Sequence, residues 1–581
     1  MLAAAVFDGI DGGTEKMDNQ GKNNVALNIW DAIEQTFIEH TGFIFLLFFL
    51  NYFTMAWSLL LIRDEWLALE YGCVLFLGIL LLTALLRRFL REKAKWFRRV
   101  QGFLFLASFL PFPVEVFVMY TYKALIGAGI VNSILETNRK EAVEFLQMYV
   151  TWREVAAVVC GCAVLYLLWR VFRRIEIPEY RKRLFCRGMA AAGLVSLGLI
   201  CATFASFFAN PLLPIVRVVS ATSLAVENAI AYHRLADSID TKIELTKNDS
   251  EIKNIVFILG ESTNRNHMHL YGYYLPNTPH LDELQAKGEI IAMSDVISPH
   301  STTVEVLSEL FTFCDYESDK PWYEYHNLID VMNAAGYRTH WLSNQESSGM
   351  WGNVAQLYAN RSTMHKFTRL RDSLEDSGIL DEELFPLLDE ALRDASPDRN
   401  FYVLHLMGGH GLYYNRYPYA FNKFKAEDIR LQIGERFREI VAQYDNALYY
   451  NDYVVDEIIK RFRDKETLVI YVPDHGEAVY DEGGSIAGHL EENPDRHMIE
   501  IPVIFWASKK FRDKYPEKWE AIEDAADRPY RTDDMIHTLM ELADIKTEEW
   551  NPKKSVINED FDASRPRFFG DENYDTQIKG K

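Results

Sequence analysis

Residues 254–273 read NIVFILGESTNRNHMHLYGY. An apolar run enters Gly260 and meets a carboxylate at once, Glu261, with Ser262, Thr263, Arg265, His267 and His269 crowded behind it. An acid at a strand end can cap the next helix or sit in a site. A second stretch, YVPDHGEAV (471–479), favours the site. Asp474 and His475 follow an apolar run directly, and Gly476 permits a tight turn that can aim both side chains at one cation. Oxygen and imidazole donors suit zinc better than Mn or Mg, and Glu261 offers a third ligand. Alone, the same pair could be a turn in which Asp474 caps a helix and His475 is solvated. A third stretch, SPHSTTVEVLSELF (298–311), runs a hydroxyl cluster into an amphipathic helix. A hydroxyl in the first helical turn, beside a cation, can become a nucleophile. Thr302 and Glu305 have capping-box spacing, which predicts that one hydroxyl is structural. Chemistry alone does not choose among Ser301, Thr302 and Thr303.

These residues can act together only if strands deliver them to one edge. Short apolar runs at 254–260, 337–343, 401–408, 467–472 and 501–506 are rich in β-branched and aromatic residues. Segments between them, such as 384–395 and 452–465, have helical periodicity. That alternation predicts an α/β domain built on a mostly parallel sheet, in which ligands bind beyond the carboxyl ends of the strands. Four of these ends carry Glu261, then Asn344 and Gln345, then His405 and His410, then Asp474 and His475. Asn344 is therefore a candidate substrate contact. No internal repeat or low-complexity tract is evident.

The amino-terminal part has another composition. Apolar stretches at 42–62, 68–86, 102–122, 154–169 and 184–208 predict five transmembrane helices. RRFLREKAKWFRR (87–99) and RVFRRIEIPEYRKR (170–183) are strongly basic, which places both loops in the cytoplasm and everything after residue 210 outside, in a bacterium the periplasm. The first residues read as a polar, acidic tail with no cleavable signal peptide. The expected organisation is a cytoplasmic tail and amphipathic segment (1–40), a five-helix membrane domain (41–210), a bridging segment (211–250), a catalytic α/β domain (251–560) and a carboxy-terminal tail (561–581). A net charge of −22 excludes a nucleic-acid binder, which needs a basic face. Five of six cysteines lie in or beside the apolar stretches, and Cys314 alone lies in the outer domain.

Taken together, the motifs resemble those of inner-membrane phosphoethanolamine transferases of the lipopolysaccharide-modifying type, in the alkaline phosphatase and sulfatase superfamily. GESTNRNHMHLYGY is similar to the family's G-E-[ST] segment, and HSTTVEVL to its nucleophile segment, whose reactive threonine falls on Thr303. MGGHGLYYNRYP (407–418) places a substrate-facing histidine at His410, DHGE (474–477) matches outright, and His489 in AGHLEENP corresponds to a second. SILETNRKEA (133–142) is similar to a stretch whose lipid-substrate contacts fall on Thr137 and Glu141. The resemblance implies one tightly bound zinc held by Glu261, Thr303, Asp474 and His475. His410 and His489 would hold the phosphate or a second, weaker zinc. It further implies a phosphatidylethanolamine donor, a covalent phosphoenzyme and a glycolipid acceptor, either lipid A or a core sugar of lipopolysaccharide. Two features depart from the common pattern. Many lipid A-modifying members have disulfides, one flanking the nucleophile; here Pro299 and Glu309 stand near those positions and no cysteine pair exists, and TVEVL looks like the branch that modifies core sugars. The competing readings are a phosphoglycerol transferase, a sulfatase or phosphodiesterase of the same superfamily, and a non-catalytic membrane scaffold or sensor. A sulfatase needs a C/S-x-P-x-R setting, and none lies near Thr303.

Overall fold

The computed structural model describes residues 19–61, 63–91, 93–137, 139–150, 177–203, 214–223, 243–346, 354–369, 379–481, 486–493 and 495–580, with isolated positions between 152 and 167 and at 226. The chain divides into two compact units, Met1–Tyr120 with Gly161–Val218, and Thr121–Cys160 with Val219–Lys581.

The first unit is helical. Among the described residues, Ile29–Leu61, Glu65–Phe89 and Ala94–Tyr122 are long and apolar enough to cross a membrane. They contain three of the five expected stretches. The fourth, 154–169, lies outside the described residues apart from isolated positions. Most of the fifth falls on a helix at Glu179–Thr203. The expected boundary near residue 40 is a kink at His40 inside α1 (Asn19–Leu61). In α2 (Glu65–Phe89), Asp64 caps the start by accepting the N–H of Leu67 at 3.0 Å, and Arg87 and Arg88 complement the dipole at the end. One face of α2 buries Leu75, Phe76, Ile79 and Leu80, while Leu69, Leu81, Leu82 and Leu85 stay exposed, as a lipid-facing side requires. The buried Glu115 accepts from Thr54 at 2.6 Å and pairs with Arg217, because a charge among apolar helices needs a partner.

The second unit is the expected α/β domain. Seven strands, β1 (Asn254–Gly260), β2 (Ile290–Met293), β3 (Arg338–Glu346), β4 (Met364–Arg369), β5 (Asn400–His405), β6 (Thr467–Pro473) and β7 (Val503–Ala507), form one sheet in the order β2-β7-β6-β1-β5-β3-β4. β7 runs antiparallel to both neighbours, and the other pairings are parallel. β1 is buried throughout. Ile255, Phe257 and Leu259 enter one core, and Val256 and Ile258 the other, which explains a continuous apolar run in place of an alternating one. The edge strands β2 and β4 are the two that the sequence patterns missed.

Two segments lie elsewhere than composition suggested. α3 (Ala128–Glu136) and α4 (Arg139–Tyr149) belong by contact to the catalytic unit, not to the helical unit that flanks them in sequence. The expected carboxy-terminal tail is packed: Phe569, Tyr574 and Ile578 are buried, and the Tyr574 hydroxyl donates to Glu500 at 2.6 Å.

Candidate active site

β1 and β6 are parallel neighbours with Gly260 opposite Pro473, so the next residues, Glu261 and Asp474, leave the sheet side by side. The turn between them is tied by backbone bonds from Asp474 N–H to the Gly260 carbonyl (3.1 Å) and from Thr263 N–H to the His475 carbonyl (2.9 Å). Oδ1 of Asp474 accepts the N–H groups of Ser262 (3.1 Å) and His475 (2.7 Å). Ser262 takes the left-handed conformation, φ 51°, at a cost of about 1–3 kcal/mol. Gly476 is required here, since a Cβ would lie 2.3 Å from the His497 carbonyl oxygen.

Glu261, Asp474 and His475 are all buried, and one ligand atom from each lies within 4.8 Å of the others. Nδ1 of His475 donates to the Gly476 carbonyl at 2.7 Å, which fixes the proton there and leaves the Nε2 lone pair open. That Nε2 lies 3.5 Å from Asp474 Oδ2 and 3.6 Å from Glu261 Oε1, and neither it nor Asp474 Oδ2 has a hydrogen-bond partner. Burial pushes the His475 pKa down, so the imidazole is neutral. Burial and then the Asp474 charge push Glu261 well above the usual carboxylate range. Two buried acids and a neutral imidazole with open lone pairs are what a divalent cation would satisfy.

Thr303 is the first residue of α5 (Thr303–Leu310), and its hydroxyl lies 3.5 Å from Glu261 Oε2. Thr302 holds the N-cap position but makes no cap bond; its hydroxyl donates to Glu305 at 2.7 Å, so the expected capping box does not form. His410 follows Gly409, whose N–H donates to the Glu261 carbonyl at 2.9 Å. Gly408 sits at φ 47°, and a Cβ there would lie 2.6 Å from the Glu261 carbonyl oxygen, so glycine is needed for this approach. The His489 ring lies beside that of His475, tilted by 51° with centroids 4.1 Å apart. Its Nδ1 bonds Glu477 at 2.6 Å, and that carboxylate overcomes the opposing effect of burial to raise the His489 pKa. Asn344 is not brought to the cluster: its amide donates to Asp381 at 2.8 Å and accepts from Thr368. Its neighbour Gln345 reaches Glu261 instead, at 3.4 Å. Thr137 is exposed at the end of α3 and donates to the Ser133 carbonyl, and the Glu141 side chain lies outside the description.

Sequence reasoning missed several supports. Glu477, in the DHGE motif itself, accepts from Tyr413 at 2.6 Å as well as holding His489. Asp381 accepts the N–H groups of Met407 (2.8 Å) and Gly408 (3.0 Å), shaping the loop before His410. The Arg and His behind Glu261 are structural. Arg265 N–H donates to the Glu500 carbonyl at 3.0 Å, and His267 lies between Asp445 and Asp481, 2.8 Å from each. A buried chain of charges also brackets α5. Arg531 pairs with Asp533 and reaches the Pro299 carbonyl (3.4 Å) and Glu309 (3.5 Å). Glu309 meets His300 at 3.3 Å, and His300 meets Glu491 at 2.6 Å. Arg531 thus bridges Pro299 and Glu309, on either side of Thr303.

A mostly parallel sheet with an acid, a hydroxyl and an Asp-His pair at its carboxyl edge defines a sulfatase-type catalytic domain. The sulfatase family model matches residues 253–545, just over half of the chain, which belongs to that family. The model described as phosphoethanolamine transferase EptA/EptB matches residues 79–218. Phosphoethanolamine transferase EptC of Escherichia coli (strain RS218) is 28% identical over 470 residues, 76% of this chain and 80% of that protein. The crystal structure of the C-terminal periplasmic domain of EptC from Escherichia coli, a complex with Zn, matches with 28% identity and a TM-score of 0.54, covering 58% of this chain and 97% of that one. The integral membrane phosphoethanolamine transferase EptA from Neisseria meningitidis shares the fold, with 20% identity and a TM-score of 0.62 over 89% of this chain and 98% of that one. The chain is thus an enzyme, a phosphoethanolamine transferase of the alkaline phosphatase and sulfatase superfamily.

Proposed function

We propose that this transferase moves phosphoethanolamine from phosphatidylethanolamine to an envelope glycolipid, lipid A or a core sugar of lipopolysaccharide, through Thr303. The observation that supports this most is the pair of buried, unpartnered donors, His475 Nε2 and Asp474 Oδ2, facing Glu261 with the Thr303 hydroxyl beside it. Glu261, Thr303, Asp474 and His475 would hold one zinc, and the His475–Glu477–His489 group would form part of a weaker second site or the phosphate site. Bound there, zinc would supply positive charge that favours the ionised threonine and offsets charge on the phosphoryl oxygens. In the first step the Thr303 oxygen bonds to phosphorus, the bond to the glycerol oxygen breaks, and the threonine proton ends on diacylglycerol. In the second, an acceptor hydroxyl or phosphate oxygen bonds to phosphorus, the bond to the Thr303 oxygen breaks, and a proton returns to Thr303. His410 and His489 would bind the phosphoryl oxygens, and Thr137 and Glu141 the lipid. The Escherichia coli relative's periplasmic domain and the apolar helices of the first unit support an inner-membrane protein whose catalytic domain lies in the periplasm.

Elemental analysis is expected to find about one tightly held zinc per chain, as a site of this donor set implies. Asp474→Ala is expected to lose both the zinc and transfer. A variant that kept both would refute the ligand assignment. For topology, fusions to a reporter that fluoresces only in the cytoplasm should glow after Arg99 and stay dark after Lys581; the reverse pattern would overturn the compartment and the donor with it.

A further inference from the structure

The loop that carries His489 is gripped by the segment that follows the third apolar stretch. The Tyr149 hydroxyl donates to the Ala487 carbonyl, and Gly488 makes room for it: a Cβ there would lie 2.7 Å from that hydroxyl. Asn493 donates to the Tyr122 carbonyl at 2.9 Å. Between them, Glu492 accepts the N–H of Ile130 at 3.1 Å, in the first turn of α3, whose own N-cap residue, Gly127, provides no side chain. A carboxylate suits a helix start, where backbone donors and the dipole converge. The contact is shaped from both sides. A Cβ at Gly127 would lie 2.4 Å from Glu492 Oε1, and one at Gly129 2.7 Å from the Cβ of Glu491. Further along α3, Asn132 donates to Glu305 at 2.8 Å, and the other oxygen of Glu305 holds Thr302, the residue before Thr303. Glu491, beside Glu492, accepts the N–H of Ser301 at 2.9 Å.

We propose that Glu492 is a positioning residue of the transfer: by capping α3 from the His489 loop, it seats Asn132 on Glu305 and so steadies the turn that presents Thr303. The inference rests on the reading of Thr303 as nucleophile. Small errors of placement at a reacting atom are costly in rate, so the effect should be visible in the chemical step.

The test uses the full chain in lipid nanodiscs containing phosphatidylethanolamine and follows single-turnover formation of the threonine adduct by intact mass, at saturating donor. Glu492→Ala and Asn132→Ala are each expected to slow the adduct about tenfold. The double variant should also lose about tenfold, not a hundredfold, because both changes act through one helix. Glu492→Gln keeps an acceptor for the Ile130 N–H and should recover most of the rate, while melting temperature and bound metal stay at wild-type values throughout. If Glu492→Ala does not fold, Gly129→Val wedges the same contact from the other side and enters the cycle with Asn132→Ala. Multiplying losses, an unslowed Glu492→Ala, or a Glu492→Gln as slow as Ala would overturn the proposal. A wild-type chain that forms no adduct sinks the Thr303 reading, and this inference with it. Failure confined to the variants sinks this inference alone.

Discussion

Replacing Thr303 by Ala is expected to abolish the phosphoethanolamine adduct and to cut transfer by at least about a thousandfold, the scale seen when a nucleophile is removed. Folding should change little, because the side chain is half-buried and its hydroxyl gives up only a 3.5 Å contact to Glu261. Thr302→Ala should keep the adduct. Its hydroxyl serves Glu305 rather than the helix backbone, so the cost of a lost cap does not apply. Transfer of a labelled headgroup, read beside intact mass, separates the two. An adduct that survives in Thr303→Ala and vanishes in Thr302→Ala would move the nucleophile back by one residue.

His267→Gln is expected to destabilise the catalytic domain by about 3–5 kcal/mol, the cost of breaking a buried ion pair. The change leaves Asp445 and Asp481 buried beside a neutral amide. Since whole domains are stable by only about 5–15 kcal/mol, that loss should be plain in urea unfolding. Burial disfavours the charged imidazole, but Asp481 and Asp445 together hold the His267 pKa at about 10. A pKa raised above its unfolded value of about 6.5 stabilises fully below that pH, and the benefit fades as pH climbs toward 10. Wild-type stability should therefore fall between pH 7 and 10 more steeply than that of the variant. Parallel curves would mean that His267 is not charged in the folded protein.

The sheet was legible because its central strands are buried on both faces, which writes unbroken apolar runs such as NIVFIL into the chain. β2 and β4 escaped because edge strands need no such run. The cluster of Glu261, Asp474 and His475 was legible because Glu261 and Asp474 leave adjacent strands at the same level, and each strand ends visibly. Asn344 was misplaced by one position: neighbouring residues of a strand face opposite ways, and Gln345, not Asn344, reaches Glu261. Nothing in spacing could reveal Glu492, because its partner lies 362 residues away in the chain. The capping box failed for a similar reason, since one oxygen of Glu305 is taken by Asn132 from a distant helix.

Arg531, Asp533, Glu309 and His300 clamp the helix that begins at Thr303 with charge and not with a disulfide. Residues 219–581 contain one cysteine, Cys314, which is buried, and burial lifts its thiol pKa to about 12, far from a reactive thiolate. Assembly of this domain therefore needs no oxidant and no thiol–disulfide exchange catalyst. Its maturation is decoupled from the redox state of the compartment that receives it, and reducing agents leave its clamp untouched.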